Sequence, residues 1–136
     1  GVARVDFPAA GSLPSGTTSP RAALIVKKLP SRDTLNRANV RGAIFDVMLS
    51  PDFQTDDPKA SLQVVMQSPL HGYWMPLGSV PFADLQDGKW HTPSIQVDDE
   101  KRIKAMEGIY NLWFVVGSNK PVKGSLYFDQ IGLIAR

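Results

Sequence analysis

Two stretches near the end of the chain decide how the rest is read: Ile109-Tyr110-Asn111-Leu112-Trp113-Phe114-Val115-Val116 and Gly124-Ser125-Leu126-Tyr127-Phe128-Asp129-Gln130-Ile131-Gly132-Leu133. Successive side chains of a strand point to opposite faces, so the first stretch puts Leu112, Phe114 and Val116 on one side and Asn111, Trp113 and Val115 on the other. The second sets Leu126 and Phe128 against Tyr127 and Asp129. Between them lie Gly117, Ser118, Asn119, Pro121 and Gly124, residues that turn a chain and cannot build a packed face. Two antiparallel strands follow, each with one apolar face and one face that mixes aromatic rings with amides or a carboxylate.

Working outward, the same alternation recurs. Ala43 to Leu49 sends Phe45, Val47 and Leu49 one way and Ile44, Asp46 and Met48 the other, and Ser50-Pro51-Asp52 ends that strand. Leu62 to Gln67 sends Leu62, Val64 and Met66 inward and leaves Gln63, Val65 and Gln67 outward. Short strands are also expected over Val2 to Phe7, over Ala22 to Leu29 (stopped by Pro30), from Tyr73 to Leu77 and around Trp90; Pro76 marks the third of these as an edge or bulge. Ala9 to Pro20 and Arg32 to Arg41 read as loops, and Phe53 to Lys59 as a turn-rich loop whose Asp56 and Asp57 are expected to be solvated. Helix is confined to a turn within Pro81 to Asp87 and a short element within Asp98 to Gly108, where acids precede bases as the helix dipole favours. The class is all-β, an antiparallel β-sandwich rather than a βαβ sheet. Phe45, Val47, Leu62, Val64, Met66, Leu112, Phe114, Val116, Leu126 and Phe128 are the predicted core.

The length of 136 residues fits one domain, 1–136, large enough for a core without staples. With no cysteine there is neither a disulfide framework nor a thiolate zinc site. A net charge of +2 argues against a nucleic-acid partner, and no apolar run is long enough to cross a bilayer as a helix, so no membrane partner is expected. Gly1 in place of Met points to an excised or processed chain.

A strand ending in Gly117-Ser118-Asn119, then a loop, then Leu126-Tyr127-Phe128-Asp129-Gln130-Ile131 and Leu133 resembles the C-terminal signature of β-jelly-roll carbohydrate-binding modules. These are non-catalytic domains attached to polysaccharide-degrading enzymes, and galactose-binding-like sandwiches share the signature. Gly88-Lys89-Trp90 is similar to the Gly-x-Trp strand opening that precedes it in such modules, where the Trp packs. The resemblance implies an antiparallel β-sandwich of jelly-roll type, with the first and last strands close together. It further implies binding of a plant-type or other neutral polysaccharide or oligosaccharide, a linked catalytic domain that is tethered to its substrate, and a secreted or cell-surface setting. Structural calcium is implied as well, held between the first strand and the Asp of the closing strand. Asp129 matches that ligand, but Phe7 is followed by Pro8 rather than an acid, leaving Asp6 as the nearest donor for an ion that takes six or more oxygens.

Catalytic constellations are not legible. His71 and His91 stand alone in the sequence, and Asp46 and Asp129 are the strand-borne carboxylates a glycosidase pair would have to use. Sugar binding needs a flat aromatic face for the C–H-rich side of a pyranose and planar polar groups for its hydroxyls. The non-core strand faces offer both: Trp113 and Asn111 from one strand, Gln63 and Gln67 from another, and Trp74, Asp46 and Tyr127 from others. The alternative reading makes Trp113 part of a second packed layer and the glutamines ordinary surface. The chain would then be a structural accessory sandwich that packs against a neighbouring domain.

Overall fold

The computed structural model describes residues 2–7, 23–26, 40–68, 74–106 and 111–135, apart from the side chains of residues 23–26, 74 and 135. The expected loop at 9–20, residues 32–39 of the loop expected at 32–41, and His71 and Tyr73 lie outside these residues, while Val40 and Arg41 are strand rather than loop. In chain order the strands are β1 Ala3–Phe7, β2 Ala23–Val26, β3 Val40–Leu49, β4 Gln54–Thr55, β5 Ser61–Gln67, β6 Trp74–Pro81, β7 Ser94–Gln96, β8 Asn111–Gly117 and β9 Val122–Ala135. A 3-10 turn at Phe82–Leu85 follows β6, and the α-helix α1, Glu100–Met106, precedes β8.

Two antiparallel sheets stack face to face. Sheet A runs β1-β9-β3-β7, with β4 on the end of β9, and sheet B runs β2-β8-β5-β6. Most connections pass from one sheet to the other; β5 and β6 form the hairpin of sheet B. The first strand pairs with the last, Val5 opposite Leu126. This is the expected sandwich, and its core is the expected one: all ten predicted residues are at most 2% exposed. Phe45 of β3 and Phe128 of β9 come from sheet A and Phe114 of β8 from sheet B, with ring centroids 4.8 Å (Phe45 to Phe114), 5.1 Å (Phe114 to Phe128) and 6.3 Å (Phe45 to Phe128) apart. Met66, Leu112, Leu62 and Leu126 fill in around them.

Two irregularities interrupt the alternation. Between β5 and β6 the register slips at Val64/Val65, so that Val65 faces Pro76. Pro76 therefore sits on an edge strand and at a bulge, the two places a residue without an N–H is tolerated. The second lies between β3 and β9, where Ile44 pairs with Gly132 but Asp46 pairs with Asp129. The extra residues include Gln130 at φ 49°, a left-handed conformation uncommon for a side chain of its size. Gly124, at φ 107°, is needed for a different reason: a Cβ there would lie 2.5 Å from Phe53 Cα.

The acidic loop departs from expectation. Asp57 is buried rather than solvated and accepts the backbone N–H groups of Asn119 (2.7 Å) and Lys59 (2.9 Å), with Ser118 Oγ donating at 3.4 Å. Burying a short polar side chain here satisfies the Asn119 N–H of the β8–β9 turn and the Lys59 N–H of its own loop, which offsets the solvation it loses. Those bonds hold the Asp57 carboxyl below its ordinary value, the Asn119 N–H contributing most.

Phe45→Ala would empty the space between both sheets and is expected to cost about 3 to 5 kcal/mol in a denaturant titration. For Asp57, whose folded pKa lies below the unfolded one, the contribution to stability is complete above the unfolded value of roughly 4 and is lost as pH falls through the folded pKa. Melting temperatures from neutral pH down to roughly pH 3 should fall less steeply for Asp57→Asn than for the native chain.

Candidate functional site

With Leu112, Phe114 and Val116 in the core, β8 has to present Asn111, Trp113 and Val115 on the outer face of sheet B, and β5 presents Gln63, Val65 and Gln67 beside them. Cross-strand pairing sets these in rows. Gln67 lies opposite Asn111 on one side and Trp74 on the other. In the next row Val65 lies between Trp113 and Pro76, and beyond it Gln63 lies between Val115 and Ser79. From neighbouring-strand spacing and rise per residue, the backbone positions of Trp74 and Trp113 are roughly 12 Å apart across the face.

The amides of the first row are joined. Asn111 Nδ2 donates to Gln67 Oε1 at 2.7 Å, which fixes both planes and leaves Asn111 Oδ1 as an acceptor and Gln67 Nε2 as a donor. Gln67 is only 8% exposed, so the pair forms a polar floor rather than a mobile fringe. Val65 is buried in the row beside it and Trp113 is half-buried. Gln63 is exposed and leans over Gly117, where an added Cβ would meet its Cδ at 2.8 Å. The indole of Trp74 lies outside the described side chains.

Asp46 and Tyr127 do not join this face. Both belong to sheet A, where Asp46 pairs with Asp129 and Tyr127 with Met48 and Arg4, on the opposite outer surface of the sandwich. Period-2 alternation correctly sets them away from the core, but two sheets have two outer faces. Asp46 accepts a hydrogen bond from Thr92 Oγ1 at 2.7 Å. Arg4 places its guanidinium 5.7 Å from the centre of the Tyr127 ring and its Nε 2.7 Å from Asp6 Oδ1.

The carboxylates Asp6 and Asp129 do not fit a shared calcium ion. Asp6 pairs with Ser125, four residues along β9 from Asp129, a separation of roughly 13 Å. Asp6 Oδ1 already accepts Ser125 Oγ (2.6 Å) and Arg4 Nε, and these bonds, Ser125 first, keep its pKa low. Asp129 Oδ1 accepts the N–H of Gln130 at 2.9 Å. No group of three or more His, Cys, Asp or Glu able to hold a metal occurs among the described residues.

Trp90 corrects another expectation. Instead of packing it is 45% exposed, on the outer side of sheet A. His91 makes an antiparallel bridge to Val47, so the inward position in this segment belongs to residue 91 and its neighbour turns out.

No family model matches the chain, and no curated protein sequence matches it. Among solved structures, a carbohydrate-binding module described as specific for non-crystalline cellulose, of family CBM28, aligns over 99% of this chain and 75% of its own, with a TM-score of 0.62 and 18% identity. The chain has the fold of that β-sandwich module. More distant alignments are to a xylanase 10C from Cellvibrio japonicus, with a TM-score of 0.49 and 12% identity over 84% of this chain and 20% of that one. A carbohydrate-binding module of the β-sandwich superfamily gives a TM-score of 0.44 and 7% identity over 83% of this chain and 41% of that one.

Asn111→Ala would leave the buried Gln67 amide without its partner. An expected loss of about 1 to 3 kcal/mol follows, readable in a urea titration. Substituting both residues by apolar ones of similar shape should recover much of it.

Proposed function

We propose that the outer face of sheet B binds a neutral polysaccharide or oligosaccharide and performs no chemistry on it. The observation that carries this reading is the Asn111–Gln67 amide pair, held at 2.7 Å between the backbone positions of Trp74 and Trp113. Such a floor offers a donor and an acceptor of fixed direction to adjacent sugar hydroxyls, while an indole offers a face for the C–H groups of the ring. Preorganisation lowers the ordering cost on binding, which matters for a shallow face that buries little ligand surface. The fold shared with a carbohydrate-binding module supports the same reading.

In this role the free energy of binding serves effective concentration. A catalytic domain linked to the chain would be kept close to an insoluble or dilute substrate, a gain set by the linker and the affinity rather than by transition-state contacts. That role belongs outside the cell or at its surface, where polysaccharides are met.

Affinity electrophoresis through gels containing hydroxyethylcellulose, barley β-glucan, arabinoxylan or galactomannan tests the reading. The native chain should be retarded in at least one gel. Trp113→Ala and Trp74→Ala should each weaken retardation roughly 5- to 150-fold, by analogy with base stacking on aromatic rings, with the melting temperature nearly unchanged. If both variants instead lose several kcal/mol of stability and the native chain runs unretarded in every gel, the indoles are packing residues. A sandwich that docks on a neighbouring domain would then be the better account.

A further inference from the structure

We propose that the outer face of sheet A is a second, independent glycan-binding surface, with Trp90 as its stacking ring. This goes beyond the reading of sheet B and uses none of its residues. The antiparallel bridge between Val47 and His91 is isolated; one further step along its direction sets Trp90 on the Met48 side of β3, and Met48 is paired with Tyr127. One row of this face therefore runs Trp90, Met48, Tyr127, Arg4, with Trp90 and Tyr127 two strand spacings, or roughly 10 Å, apart. The adjacent row runs Thr92, Asp46, Asp129. An aromatic row beside a row of hydroxyl and carboxylate groups is the pairing that sheet B makes with indoles and amides.

Trp90 is exposed on a rigid support. Asp87 Oδ1 accepts the N–H of Lys89 at 3.0 Å and lies 2.7 Å from His91 Nε2, closing the turn in which Gly88 adopts φ 74°. On the other side, His91 exchanges two backbone hydrogen bonds of 2.9 Å with Val47, and Thr92 is tied to Asp46. Bracing of the turn that carries Trp90 lowers the ordering cost that a ligand would otherwise meet.

The chemistry of the face selects among ligands. Carboxylates interleave with the apolar groups, whereas the centre of a protein interface is depleted in charge, so a protein partner fits poorly. Asp46 and Asp129 disfavour an anionic polymer, and Arg4 is already neutralised by Asp6. Uncharged hydroxyl groups, which donate to carboxylates while the sugar ring covers an indole, suit all of these groups together.

The four polysaccharide gels separate the two faces. With the face on sheet B disabled by Trp113→Ala, residual retardation should persist in at least one gel and vanish when Trp90→Ala is added, a further loss of roughly 10-fold in affinity. Asp46→Ala in place of Trp90→Ala should reduce it too, and near-UV circular dichroism with a thermal melt confirms that each variant is folded. Wild type, having two faces, should cross-link the polysaccharide and raise its solution viscosity, and Trp90→Ala should not. If Trp113→Ala alone abolishes retardation in every gel, or if its residual retardation survives both Trp90→Ala and Asp46→Ala, the second surface does not exist. Binding lost on Trp90→Ala and untouched by Trp113→Ala would uphold the face on sheet A and overturn that on sheet B. Retardation in no gel for the wild type overturns both.

Discussion

The contact among Phe45, Phe114 and Phe128 is the constraint from which the rest of the molecule follows. It joins two strands of one sheet to a strand of the other, with Phe45 and Phe114 edge to face at 4.8 Å. Each such pair adds about 0.5 to 1.5 kcal/mol to the burial of the rings themselves. Its larger effect is on register. Once these three rings point inward, a strand that slipped by one residue would send its whole apolar set to solvent, so the outer residues of β3, β8 and β9 are determined as firmly as the inner ones.

Departures from regular pairing sit close to both outer faces. The bulge at Val65 and Pro76 lies in the row that contains Trp113, and the bulge between β3 and β9 lies next to Asp46 and Asp129. Bulges bend a strand and increase its local twist, which redirects side chains without disturbing the packed layer beneath. Asp57 has a complementary part, since its bonds to Lys59 and Asn119 fasten the loop after β4 to the turn between β8 and β9. Gly124 permits the same close approach from the other side, by leaving room for Phe53.

On sheet B, the polar floor depends on the packing below it. Leu112 and Met66 face each other in the core and their strand neighbours Asn111 and Gln67 face each other above, so a single register choice makes both the apolar contact and the amide bond. Burial makes that bond costly to break, because an amide with no partner loses its water as well as its mate. The result is a surface whose hydrogen-bonding directions are set by the fold itself.

Much of the fold was legible in the residues because alternation is a local signal. Leu62, Val64 and Met66 on β5, like Leu112, Phe114 and Val116 on β8, are spaced two apart whatever they pack against, and the closeness of the first and last strands was implied by the resemblance around Asp129. Sheet membership was not legible. Asp46, Tyr127, Trp113 and Gln67 all read as outward, yet the first two occupy one outer face and the last two the other, because a strand's partners lie tens of residues away and leave no mark on its own alternation. Trp90 and Asp57 were misjudged for the same reason: the bridge from His91 to Val47 turned the indole outward, and the N–H groups of Lys59 and Asn119 drew the carboxylate in. The sequence by itself determined which side of each strand is apolar, since that depends on neighbours two residues apart. Only the tertiary structure decided which of those sides meet and which residues share a surface, since that depends on non-local pairing and on where buried backbone groups find their partners.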